Sequence, residues 1–240
     1  MPTILALSNS SDACSAAIGE QGSIQQKLSS VPREHTQKIL PMISALLSER
    51  GLSLGQLDAI AFDRGPGSFT GIRICLSIAQ GLAYGADLPL IEVSSLDALA
   101  NQARRQYLSD EAHTENISIV PIIDARMNEV YWSSYTADKL RCRPQLNEQV
   151  SNPENSAESI QKIAARRLIG VGSGWYYPVL RNLKNTELHV DSHPSAYDVA
   201  ELAIDAFDRG ELLAPEQAQL QYLRNDSGWR KRQRIRQPLS

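Results

Sequence analysis

Metal-binding and disulfide chemistry have little material in this chain of 240 residues. The three cysteines, Cys14, Cys75 and Cys142, are odd in number and form no C-x-x-C pair. That pattern excludes a disulfide framework and points to buried thiols in a reducing cytoplasm. The four histidines, His35, His113, His189 and His193, give no metal-ligand pair; the last two are four apart, but Pro194 stands against a shared helix face. No G-x-x-x-x-G-K-[ST] or G-x-S-x-G is present, which removes the P-loop and the nucleophile elbow. The opening Met1 to Leu7 has no basic stretch and falls far short of the ~20 apolar residues of a membrane span. A cytoplasmic protein with no membrane partner is therefore expected.

An excess of charge of one sign is also lacking, with 24 basic against 27 acidic residues. A net charge of -3 gives no global reason to bind nucleic acid, yet Trp229 to Ser240 holds five basic residues and no acid. Such a tail either tracks a phosphate backbone or is simply a solvated end. What the chain does have is the composition of a soluble globular protein, 42% hydrophobic and 21% charged, with length enough for one large domain or two small ones.

The pattern of apolar runs and turns predicts two α/β lobes. Strands are expected at 3–7, 13–18 and, more weakly, 23–30. A helix over 35–50 follows, closed by Gly51 and interrupted or started by Pro41. Then come a strand at 57–62, a glycine loop, a helix over 72–86, a strand at 89–93 and a helix over 98–107, for which Ser94 and Asp97 form a capping box. Residues 1–107 make the first lobe and the polar stretch 108–116 the link. Residues 108–228 make the second lobe: strands at 117–123 and 129–135 around a turn at 124–128, a largely irregular 138–158, helix 157–167, strand 168–171, a glycine turn at 172–174 and helix 196–209. A helix or turn over 216–223 precedes the tail at 229–240.

The most informative stretch is Asp63-Arg64-Gly65-Pro66-Gly67-Ser68-Phe69-Thr70-Gly71-Ile72-Arg73. A glycine turn between strand and helix is a natural anion cradle, since helix N–H groups point into it. Here it carries no lysine and no acid placed for a metal. As a dinucleotide fingerprint it is one residue too long, although Glu92 lies about 20 residues on, where such a site has its ribose-binding acid. Close packing, with Ser68 capping the helix, explains the same residues. Asp124 and Glu129 flank a hairpin turn and read as turn residues rather than an acid–base pair. The two helices at 35–50 and 72–86 have more apolar positions than one narrow stripe needs. Either both bury two faces in a core, or they leave an apolar patch for a partner.

The glycine loop, Val93-Ser94-Ser95-Leu96-Asp97-Ala98-Leu99-Ala100, Asp124-Ala125-Arg126, Glu129-Val130-Tyr131, Gly172-Ser173-Gly174-Trp175 and Tyr222-Leu223-Arg224 together resemble the TsaB (YeaZ) family of bacterial tRNA threonylcarbamoyladenosine biosynthesis proteins. The likeness runs in order from about residue 3 to 231. It implies the two-lobed actin/Hsp70/sugar-kinase-like (RNase H-like) fold, with mixed sheets flanked by helices. It also implies a non-catalytic scaffold that binds and activates TsaD. TsaD, with TsaB and the ATPase TsaE, transfers a threonylcarbamoyl group to the adenosine beside the anticodon of tRNAs reading codons that begin with A. On this likeness the chain needs no cofactor of its own, ATP and metal being used by the partner subunits. The two metal-binding histidines of TsaD correspond here to Ser95 and Leu99, and the family's usual Asp-Thr-Ser is replaced by Ser8-Asn9-Ser10. Implied contacts with TsaD, or with a second copy when TsaD is absent, are His35, Ile39, Met42, Ile43, Leu46, Ile72, Leu76, Ala79 and Ala83. Arg64, Gly65, Gly67, Ser68, Gly71 and Arg73 are loop candidates. The competing readings are a glycoprotease-like peptidase acting on TsaD and a kinase-like nucleotide-binding protein.

Overall fold

A computed structural model describes residues 1–30, 35–108 and 116–224, with the side chains of His35 and Thr36 excepted. The basic tail and most of the inter-lobe link lie outside the described residues. Ten strands form two five-stranded sheets. In the first sheet, β1 (Ile4–Ser8), β2 (Cys14–Glu20) and β3 (Ser23–Ser29) make an antiparallel meander, and β4 (Ala59–Asp63) and β5 (Leu90–Val93) add in parallel on the far side of β1. The second sheet repeats this plan with β6 (Ile117–Arg126), β7 (Glu129–Ala137) and β8 (Cys142–Ser151), while β9 (Arg167–Val171) and β10 (Thr186–His189) add in parallel beside β6. Strand β1 is buried from end to end, as expected of a central strand covered on both faces.

Helices α1 (His35–Arg50) and α2 (Phe69–Ala86) cover one face of the first sheet. Their inner stripes, Ile39, Ile43 and Leu46 from α1 and Cys75, Ala79 and Ala83 from α2, pack on Leu5, Leu7, Ile18, Ile60 and Phe62. Pro41 lies inside α1, in its second turn. Being past the first turn, it has no N–H to give to the Gln37 carbonyl, so one bond of the helix ladder is missing there.

The other two long helices exchange places. Helix α3 (Ser95–Tyr107) follows the first sheet in sequence, but Leu96, Leu99, Ala100 and Ala103 pack on Ile117, Ile119, Tyr135 and Ile169 of the second sheet. Helix α6 (Ala196–Asp208) belongs to the second half, but Ala196, Val199, Ala200 and Ala203 lie on Ile4, Ala6, Ala17, Ala59, Ala61 and Ile91 of the first. Alanine on both surfaces lets helix and sheet approach closely. The two helices are joined by Arg105 Nε to Asp198 at 3.2 Å and by Asn101 Nδ2 to Glu201 at 2.7 Å. Ser195 caps α6, accepting the Asp198 N–H at 3.4 Å and donating its hydroxyl to the Asp198 carboxylate at 2.6 Å. A boundary between 107 and 108 thus separates the sheets but not the layers that cover them.

Three expectations need correction. The stretch expected to be irregular, 138–158, contains β8, an edge strand paired to β7. Its outer half is exposed and includes Pro144, so no apolar alternation marks it, and the pairing rests on backbone bonds to one neighbour. The helix expected at 157–167 is α4 (Pro153–Ile160), capped by Asn152, whose side chain accepts the Asn155 N–H at 2.8 Å, with Pro153 at the first turn. Ser94 does cap α3, accepting from the N–H groups of Leu96 (3.0 Å) and Asp97 (3.4 Å). The Asp97 carboxylate does not close a capping box, because it accepts the Tyr135 hydroxyl of β7 at 2.7 Å. A four-residue helix, α5 (Pro178–Arg181), and strand β10 were not foreseen in the sequence. The last expected element, 216–223, is a short 3-10 turn at Pro215–Gln217 followed by extended chain. Among the described residues, no helix is long and apolar enough to cross a membrane.

Candidate partner-docking face and the closed glycine turns

The glycine loop begins at Asp63, the last residue of β4, and its packing decides what the loop can hold. Asp63 is fully buried and its carboxylate accepts the Ser8 hydroxyl at 2.8 Å and the N–H groups of Asn9 and Ser10 at 3.1 Å each. Burial raises its pKa, and the donated bonds hold it partly down. The turn Ser8-Asn9-Ser10 is thereby pulled onto the loop. The Ser10 carbonyl accepts the Ser68 N–H at 2.8 Å, and Asn9 Nδ2 donates to the Gly71 carbonyl at 3.2 Å. A β-carbon on Gly71 would lie 1.9 Å from the Asn9 oxygen, and one on Gly67 2.3 Å from the Ser10 oxygen. The glycines are small because the chain itself fills the cradle. Ser68 caps α2, accepting the Gly71 N–H at 3.3 Å, as its sequence position indicates. The second glycine turn is filled in the same manner: a β-carbon on Gly172, where φ is +99°, would meet the Ile122 carbonyl oxygen at 2.5 Å and the Leu99 side chain at 2.7 Å.

Between the lobes lies a polar cluster that sequence reasoning missed. Ser94 donates to Glu148 of β8, Tyr135 donates to Asp97, and Arg64 faces both carboxyls. Arg64 is also 3.8 Å from Glu92. Burial raises both the Asp97 and the Glu148 pKa, and Asp97 raises that of Glu148 further. Residues so far apart in sequence as Arg64, Asp97 and Glu148 leave no periodic signal. Among the described residues, no three His, Cys, Asp or Glu side chains come together in a way that could hold a metal ion.

The outer side of α1 and α2 carries an open apolar groove. A groove of about 370 Å³ is lined by Leu40, Phe69, Thr70, Arg73, Ile74, Ser77 and Ile78. Phe69 is 65% exposed and Leu40 50% exposed. The groove lies on the helix pair expected to meet a partner, but most of the residues expected there are not on its surface. Ile39, Ile43, Leu46, Ile72, Ala79 and Ala83 are buried, between 0% and 3% exposed, and form the core beneath the helices. Met42 and Leu76 are half-buried against that core. The His35 side chain lies outside the described residues. Of the loop candidates, Arg73 lines the groove, Ser68 is exposed as the α2 cap, and Gly65 and Gly71 are buried. The signal for the open groove was present: Leu40, Ile74 and Ile78 are apolar residues that fall off the buried stripes by helical periodicity.

A family model described as TsaD, tRNA N6-adenosine threonylcarbamoyltransferase, matches residues 25–183. The Escherichia coli (strain K12) protein named tRNA threonylcarbamoyladenosine biosynthesis protein TsaB is 39% identical over 95% of this chain and 97% of its own length. The chain belongs to the TsaB family. The Haemophilus influenzae TsaB is likewise 39% identical, over 95% of this chain and 96% of its own. Among solved structures, YeaZ from Pseudomonas aeruginosa superimposes with a TM-score of 0.80 at 37% identity, covering 93% of this chain and all of that one. The fold is thus the two-lobed actin-like arrangement that the TsaB resemblance implies.

Proposed function

We propose that the protein is a non-catalytic subunit of tRNA threonylcarbamoyladenosine biosynthesis that binds and activates TsaD through the outer face of α1 and α2. The observation that carries this reading is the apolar groove on the outer face of α1 and α2, with Leu40 and Phe69 open to solvent. A family model for TsaD matches residues 25–183, a span that includes α1 and α2, which supports a partner related to this chain. The filled glycine turns, and Leu99 standing where TsaD has a histidine, support a scaffold role over a kinase-like or peptidase one. On this reading ATP, metal and the tRNA substrate belong to TsaD and TsaE, and the chain needs no cofactor. Without TsaD the same face closes on a second copy about a twofold axis. The test is calorimetric titration of the chain with its TsaD counterpart, followed by threonylcarbamoyl transfer by the reconstituted complex with and without this subunit. Leu40→Arg places a charge in the groove and is expected to weaken binding at least tenfold; unchanged affinity would refute the docking face.

A further inference from the structure

After α6 the chain does not leave the molecule but runs back along α2 as an extended strap, residues 211–224. Leu213 and Leu90 exchange backbone hydrogen bonds of 2.8 and 2.9 Å at the edge of the first sheet. Further on, Gln80 Nε2 donates to the Pro215 carbonyl at 2.8 Å and the Tyr84 hydroxyl to Glu216 at 3.3 Å. The Gln219 N–H donates to Glu92 and the Gln221 N–H to the Arg64 carbonyl at 3.0 Å. The strap ends on the second lobe, where Arg224 donates to the Ala125 carbonyl at 3.1 Å and pairs with Glu129 at the β6–β7 hairpin. Just before that anchor, the Tyr222 hydroxyl accepts Arg73 Nη2 at 2.7 Å.

Arg73 is the pivot. Its guanidinium carbon sits 3.2 Å from the centre of the Phe69 ring and 5.4 Å from that of Tyr222, and its Nη1 is buried with no hydrogen-bond partner among the described residues. Among the described residues no carboxylate holds this cation; two rings and one hydroxyl do. The arrangement fixes the orientation of Phe69, the most exposed ring on the groove. An aromatic anchor held before binding loses less freedom when a partner covers it.

We propose that Tyr222 is a positioning residue for partner binding: it holds Arg73, Arg73 holds Phe69, and the strap thereby presets the docking face. This rests on the docking reading above and names the residues that shape its surface. The experiment is calorimetric titration of the full chain, and of its Tyr222→Ala, Tyr222→Phe, Phe69→Ala, Leu40→Arg and Tyr222→Ala/Phe69→Ala variants, with the TsaD counterpart. Tyr222→Ala is expected to weaken binding about threefold to tenfold, the range for one unfixed side chain. Tyr222→Phe should do the same, since the bond it removes is the one to Arg73. Once Phe69 is alanine, Tyr222→Ala should change nothing further, an outcome that a merely structural or directly contacting Tyr222 would not give. Unchanged affinity for both Tyr222 variants, or an undiminished effect in the Phe69→Ala background, overturns the inference. If Leu40→Arg abolishes binding while the Tyr222 variants bind normally, only the strap's role falls. If Leu40→Arg also binds normally, the docking face itself falls, and the strap's role with it.

Discussion

At the scale of single residues, the sharpest contrasts are between neighbours on one helix. Ala79 and Ile78 are adjacent in α2, yet the first is buried against the sheet and the second lines the groove. Ala79→Arg would force a long cation into a packed core and is expected to cost about 3 kcal/mol or more, read as a loss of Tm in calorimetry. Leu40→Arg, on the outer face, should leave Tm within a degree or two of the parent while abolishing partner binding. Gly71 gives a third test. Its missing side chain makes room for the Asn9 carbonyl, so Gly71→Ala should destabilise by about 1–3 kcal/mol in urea unfolding, with no ligand involved. A Gly71→Ala variant as stable as the parent would mean the loop is not packed as described.

At the scale of elements, the polar cluster ties α3 to the second sheet and sets a pH dependence. Burial holds the Asp97 and Glu148 pKa values above their ordinary 3.8 and 4.5. A carboxyl that binds its proton more tightly when folded stabilises the fold at low pH. That contribution fades as pH rises from the ordinary value through the raised one. Glu148→Gln keeps an acceptor for the Ser94 hydroxyl and removes the titration, so its unfolding free energy should vary less between about pH 4.5 and neutrality than that of the parent. Identical pH profiles, measured by urea unfolding, would remove the cluster from the account. The same cluster shows where sequence reading stops. Strands β1, β2, β4 and β6 were legible because each is a run of apolar residues buried on both faces. Helices α1, α2, α3 and α6 were legible from caps and periodicity. Strand β8 was not, because an edge strand exposes its side chains, and its Glu148 gained meaning only when folding brought it to Ser94 and Asp97. Helices α1 and α2 were read correctly as helices, but their buried and open faces were exchanged, because a run rich in Ile, Leu and Ala does not say which side meets the sheet.

At the scale of the whole molecule, the exchange of α3 and α6 makes the two halves mutually dependent. The first sheet has α1 and α2 on one face, but its other face, with Ile4, Ala6, Ala17, Ala59, Ala61 and Ile91, is covered among the described residues mainly by α6, a helix from the second half. A fragment ending at Leu108 should therefore be aggregation-prone when expressed alone and become soluble when the remaining chain is co-expressed. A monomeric, cooperatively unfolding 1–108 fragment would contradict this. The Arg105–Asp198 and Asn101–Glu201 contacts hold the crossing at its centre, so any swing of one sheet against the other must carry the helix pair along.

The crossing also bears on how the protein is made. Synthesis on the ribosome proceeds from the amino end, and most domains condense as soon as their own chain has emerged. Here the earliest strands wait for α6, which ends at Asp208, before their second face is sheltered. Nascent chains stalled short of that helix should be cut readily by protease even though every strand of the first sheet has already been translated.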